Sequence, residues 1–239
     1  MAIEFDAASG ASYTEPLTSK TWSHTVGAGE NRLLLVGAGN TFPNDNVTGV
    51  TFNGVALTKV TSRQIPGNRW ISVWYLLAPD SGTHDIVITY GDTQSAMGFA
   101  ASYAGVSQGA MDASATAVTS SSAESITASV TTIADNCWTF MMAGATTSPG
   151  TLSAGTATTK RAGDGTYGYG VFDSNGPKTP AGSRSLQATW TGNQDAAAVI
   201  VSFAPFSTNI KKIASVSYAS IKKILGVAIA NVKKVSGLE

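Results

Sequence analysis

The feature that most constrains this chain is a succession of short strand-like segments with no helical stretch between them. Apolar residues alternate at a period of two, and turn residues interrupt them roughly every 10 to 15 residues. Arg32–Ala38 is a short apolar run of the kind a buried strand carries. Val47–Val60 holds two alternating stretches around Asn53-Gly54, the pair that best fills a type I′ hairpin turn. Arg69–Leu77, His84–Tyr90, Ala96–Tyr103, Ser125–Thr132, Cys137–Ala145, Thr151–Lys160, Thr166–Phe172, Ser185–Trp190 and Ala196–Phe203 continue the pattern. No segment before residue 206 shows a 3.6-residue apolar period. The fold expected for residues 1–206 is therefore all-β, an antiparallel β-sandwich or jelly roll. Each strand would bury alternate residues, such as Val73, Tyr75 and Leu77, or Ile86 and Ile88. Thr and Ser would line the opposite faces.

The pattern changes after Pro205. Asn209-Ile-Lys-Lys-Ile-Ala-Ser-Val-Ser-Tyr-Ala is followed by Ser220-Ile-Lys-Lys-Ile-Leu-Gly-Val-Ala-Ile-Ala, and Asn231 starts a third copy. Formal charge divides at the same place. Residues 1–206 carry nine Lys/Arg and fourteen Asp/Glu, and residues 207–239 carry six Lys and one Glu. The neutral total is a cancellation between an acidic body and a basic tail. On a helical wheel the repeat's apolar positions scatter, whereas Val227–Val232 alternates, so short β segments are favoured over an eleven-residue helical coil. So short a repeat buries little surface alone and needs a partner: its own sandwich, sister chains or a larger assembly. The candidate assembly residues are Ile210, Lys211, Lys212, Ile213, Ile221, Lys222, Lys223, Ile224, Val232, Lys233, Lys234 and Val235.

Composition excludes several classes. Hydrophobic residues reach 43% and charged residues only 13%, which rules out intrinsic disorder. The balanced charge argues against a nucleic-acid module, and no apolar run is long enough for a membrane-spanning helix. The one cysteine, Cys137, lies in an apolar stretch and reads as a buried small hydrophobe. The N-terminus lacks a basic start followed by an apolar run, so no secretory signal is expected. A Ser/Thr/Gly-rich, charge-poor surface without export fits a virion component made in a host cytoplasm.

Catalytic signatures do not survive their context. Gly105-Val-Ser-Gln-Gly109 matches the nucleophile-elbow pattern, but both histidines, His24 and His84, precede Ser107, against the order that fold needs. Gly163-Asp-Gly-Thr-Tyr-Gly168 matches a dinucleotide fingerprint, but no helix can start after it. His24 and His84 are distant in sequence and lack further ligands for zinc. Asp45 and Asp173 are loop oxygens suited to Asx-turns or, less readily, to calcium. No cofactor and no enzymatic activity are expected. Aromatic side chains offer a different surface. Trp70 and Trp74 share one face of a strand, and Tyr167 and Tyr169 lie in a glycine-rich segment; these are the candidate ligand contacts.

Arg32-Leu-Leu-Leu-Val-Gly, the Val47–Thr58 hairpin, Trp74–Thr89 and the closing Ala196–Pro205 resemble β-sandwich, jelly-roll-like domains of phage structural and environmental bacterial surface proteins. The Ile-Lys-Lys-Ile repeats are similar to terminal repeats of phage proteins. The resemblance implies a non-enzymatic virion protein: a tail-fibre, receptor-binding or capsid-surface component. Its partners would be other virion proteins or copies of itself, together with a cell-surface glycan. A carbohydrate-binding module is the alternative.

Overall fold

The computed structural model describes residues 1–146, 151–164, 167–207, 223–224 and 227–228. The chain divides into two units, Met1–Phe206 and Ser207–Glu239. Among the described residues the first unit is all-β and antiparallel, in two hydrogen-bonded sheets. The first sheet holds β1 (Glu4–Val26), β2 (Leu33–Asn40), β3 (Val47–Phe52), β4 (Val55–Ala56), β5 (Thr58–Ile65), β6 (Arg69–Leu77) and β7 (Gly82–Ala104). The second holds β8 (Ala113–Thr131), β9 (Trp138–Ala145), β10 (Ser153–Ala154), β11 (Thr159–Gly163), β12 (Tyr169–Asp173) and β13 (Ser183–Phe203). The expected sandwich is present, and the Asn53-Gly54 turn has both positive φ values, 50° and 77°.

Two strand pairs organise everything else. β1 runs antiparallel to β7 from Glu4↔Ala104 to Val26↔Gly82, and β8 runs likewise along β13 from Ala113↔Ser202 to Thr131↔Ser183. Each ribbon loses register midway, opposite Thr89–Ala96 and Thr189–Ala196. Such irregularity bends a ribbon. The bend folds each sheet back on itself, so Trp22, Ile86, Ile88 and Phe52 pack on Leu34, Val36, Trp74 and Ala100. In the second sheet Ile126, Leu186 and Trp190 cover Met141, Phe172 and Ile200 in the same way. The two inner layers then face one another across a central core that includes Leu35, Val73, Phe99, Tyr103, Phe140, Val171 and Phe203. The result is a stack of four β layers.

This corrects the expectation of one core face per strand. All eight residues of β2, all eight of β9 and all five of β12 are buried, because an inner layer is covered on both faces. In β6, Ile71, Ser72, Val73 and Trp74 are buried in succession.

The two halves are built to one plan. Leu33↔Tyr103 in the first corresponds to Trp138↔Phe203 in the second, and Val73↔Gly37 to Val171↔Met142. The bulge between Lys59 and Thr61 on β5 has its counterpart between Lys160 and Ala162 on β11. A left-handed asparagine, Asn31 (φ 54°) or Asn136 (φ 60°), precedes the buried strand of each half. Equivalent residues also meet across the central core: the Tyr103 and Phe203 ring centroids are 4.9 Å apart, and a Cβ on Gly37 would reach 2.7 Å from Met142 Sδ. Like meets like in this way around a twofold axis. The body is an internal pair of one β unit, and among the described residues β4 has a place only in the first copy.

Candidate functional site

The polar groups that resemble chemistry are spent on holding strands. Asp6 Oδ2 accepts hydrogen bonds from Ser102 Oγ (2.7 Å) and the Gly27 amide (2.8 Å). Asp112 Oδ2 accepts from Ser202 Oγ (2.8 Å) and the Ile133 amide (2.9 Å), at the equivalent positions of the second half. Each aspartate ties the start of one long strand to the end of its partner and to the turn that follows. In the first half His24 joins the cluster, with Nε2 3.1 Å from Ser102 Oγ and Nδ1 2.8 Å from Ser9 Oγ. A hydrolytic triad needs histidine between serine and acid. Here serine stands between acid and histidine, and both Ser102 and His24 are buried. Burial lowers the His24 pKa to about 4, with Asp6 partly opposing the shift.

The histidines are not separate in space. His24 and His84 are direct partners across β1 and β7, and both set their rings edge-on to Phe52. The strand register brings them together, which sequence distance conceals. Both His24 nitrogens are engaged by serines, and among the described residues no group of three His, Cys, Asp or Glu could hold a metal.

The two aspartates expected in loops are also engaged, and Asp173 is in fact the last residue of β12, paired with Thr159 and Phe140. Asp45 pairs with Lys59. Asp173 is fully buried: it accepts from Arg161 Nε (2.7 Å) and Tyr103 Oη (2.9 Å), and its Oδ1 takes the Asn175 amide in an Asx-turn. Burial first, then the Asp173 carboxylate, raises the Tyr103 hydroxyl well above the phenol range. Cys137 is buried, and desolvation with Asp112 nearby pushes its thiol up to about 12. These groups are structural.

The aromatic candidates separate. Tyr169 lies in the central core and Trp74 in the outer core of the first half, so neither ring is open to a ligand. Trp74 and Trp70 do share a face, but the folded-back ribbon covers the Trp74 end of it, and Lys59 Nζ sits 5.4 Å above the Trp74 ring. Tyr167 is half-buried and packs against the central core. Trp70 remains half-exposed, its Nε1 donating to the Pro43 carbonyl at 2.9 Å. It forms one wall of a groove of about 580 Å³, lined also by Ser62, Arg63, Gln64, Pro66 and Val118. Sequence reasoning singled out Trp70 but missed Arg63, Gln64 and Val118, because β8 and β5 come together only in the folded stack.

Of the tail candidates, Lys223 and Ile224 form β14, which pairs with β15 (Val227–Ala228) in register Lys223↔Ala228 and Ile224↔Val227. Ile210, Lys211, Lys212, Ile213, Ile221, Lys222, Val232, Lys233, Lys234 and Val235 lie outside the described residues.

No family model matches the chain, and no curated protein matches it. Among solved structures it is similar to the crystal structure of the major capsid protein P2 from bacteriophage PM2. Identity is 10%, covering 84% of this chain and 99% of that one, with a TM-score of 0.26. A likeness at that level carries no functional argument, and the all-β assignment rests on the chain's own strands.

Proposed function

We propose that the chain is a non-enzymatic structural component of a phage virion, displayed as a tail-fibre, receptor-binding or capsid-surface protein. Residues 207–239 act as its attachment or oligomerisation element. The observation that carries this reading is the division of labour along the chain. A body with a central core and two outer cores precedes a basic eleven-residue repeat of opposite net charge. The body's buried Asp, Ser, His and Cys groups brace strands, which favours display over catalysis. The repeat supplies regularly spaced Lys pairs flanked by Ile or Val, suited to mating with acidic bodies of the same chain or of a neighbour.

Light scattering on the full chain and on residues 1–206 tests this. The full chain is expected to associate, or to bind parent particles, and the truncated body to stay monomeric with an unchanged melting temperature. Association should weaken as salt rises from about 0.1 M to about 1 M, where the screening length falls from about 10 to about 3 Å. Monomers in both cases, with neither form binding particles, would remove the assembly role.

A further inference from the structure

We propose that the groove beside Trp70 is a binding site for an oligosaccharide that carries a carboxylate. The inference starts from the internal pairing of the body. Two halves of one plan give two equivalent flanks, one where β5 lies beside β8 and one where β11 lies beside β1. The strand registers make Arg63 and Trp70 equivalent to Asp164 and Gly168, and set Val118 against the irregular stretch of β1 between Ala11 and Thr14.

The two flanks have diverged at those positions. On the second, Asp164 is buried and accepts the Tyr167 amide at 2.7 Å. Lys20 is buried too, its ammonium donating to the Ser12 carbonyl at 2.6 Å. There the charged side chains turn inward and serve the fold. On the first flank Arg63 and Gln64 are exposed, Val118 is 44% exposed, and Trp70 presents part of its ring. Because the described residues of the second flank include no exposed arginine, indole or valine, the scaffold does not require them. They are specific to the first flank.

The lining matches the two faces of a sugar. The C–H face of a pyranose is apolar and stacks on an indole, and Trp70, Pro66 and Val118 supply the apolar surface. Ring hydroxyls need donors and acceptors at the edge, and Ser62 and Gln64 provide both. Arg63 brings a planar fork of donors that pairs a carboxylate with two parallel hydrogen bonds, so an acidic sugar is preferred over a neutral one. The groove volume, about 580 Å³, lies within the range of about 300–1,000 Å³ usual for ligand sites. This site stands independently of the virion reading, since it uses no residue of the tail.

The test is a glycan array printed with neutral, uronic-acid and sialic-acid oligosaccharides, probed with the full chain and followed by titration of the best-retained glycan. Carboxylate-bearing glycans are expected to be retained over neutral ones. Trp70→Ala should weaken binding at least about tenfold, the scale of an interface hot spot. Arg63→Gln should bring the acidic glycan down to the affinity of its neutral counterpart. Val118→Asp, at an exposed strand position, should repel the carboxylate at a small cost in melting temperature, so it keeps the test decisive if Trp70→Ala fails to fold. Retention of no carboxylate-bearing glycan would overturn the proposal. So would binding that survives both Arg63→Gln and Val118→Asp. Neither result bears on particle attachment, which the tail truncation reports separately.

Discussion

At the scale of single residues, this chain places ionisable groups where they cost stability unless they are neutral or paired. His24 is the clearest case. Its folded pKa of about 4 lies below the ordinary histidine value of about 6.5, so the unfolded chain takes up the proton first as pH falls. Stability from this site is complete above about pH 6.5 and is lost progressively toward about pH 4, on the order of 3 kcal/mol. Urea melts at about pH 7 and about pH 4.5 should show that loss, and His24→Asn should flatten the slope; an identical slope in the variant would exonerate His24. The aspartate clamps give a second expectation. Asp112→Asn replaces a charged acceptor serving Ser202 and two backbone amides. It should cost about 1–3 kcal/mol, read as a drop in melting temperature. Cys137 supplies a convenient probe of opening: buried and held as the thiol, it should resist disulfide-exchange reagents in the native protein and react fully in denaturant.

At the scale of elements, the bent ribbons decide which side chains fit. In the first half Trp22 lies over Gly98, where a Cβ would come within 2.5 Å of the indole. In the second half the equivalent positions are Ala128 and Ala198, both buried. One copy fills the space between layers with one large and one absent side chain, the other with two small ones. Gly98→Ala should therefore destabilise by about 1–3 kcal/mol through overpacking. Ala198→Gly should cost only about 0.5–1 kcal/mol, mostly in backbone entropy. Thermal melts of the two variants separate the effects; equal losses would mean that the layers adjust freely. The ribbons also explain what the pattern in the sequence hid. His84–Tyr90 and Ala96–Tyr103 read as separate strands because Gly91 to Ser95 lacks apolar residues, yet one strand runs through the bend while its ladder to β1 breaks there. β1 carries little strand pattern of its own, because Ser9 to Lys20 offers almost no alternating apolar side chains. It is held by its pairing with β7 rather than by a hydrophobic face of its own.

At the scale of the whole molecule, the internal pairing is carried by geometry more than by identity. β7 and the segment from Gly182 through β13 to Ala204 share Gly82/Gly182, Thr89/Thr189, Gln94/Gln194, Ala96/Ala196, Ser102/Ser202 and Ala104/Ala204, and the rest of their positions have drifted. These shared residues at constant spacing were a signal present in the sequence, masked by a composition rich in Gly, Ala, Ser and Thr. A duplicated body predicts coupled unfolding, because the central core belongs to both halves. Guanidinium unfolding followed by Trp fluorescence and by far-ultraviolet circular dichroism should give coincident transitions. Two separated transitions would mean that each half stands alone. By itself the sequence determined the class of fold, the hairpin at Asn53-Gly54, most of the central strands and the change of composition after Pro205. Alternation, turn chemistry and repetition are local properties, and local properties are written in order along a chain. Only the tertiary structure decided that the inner strands are covered on both faces, that His24 meets His84, and that Trp74 and Tyr169 are sealed while Trp70 faces a groove with Arg63. Those outcomes depend on how a ribbon bends and which flank it brings beside another, and such long-range contacts leave no periodic trace in the residues that make them.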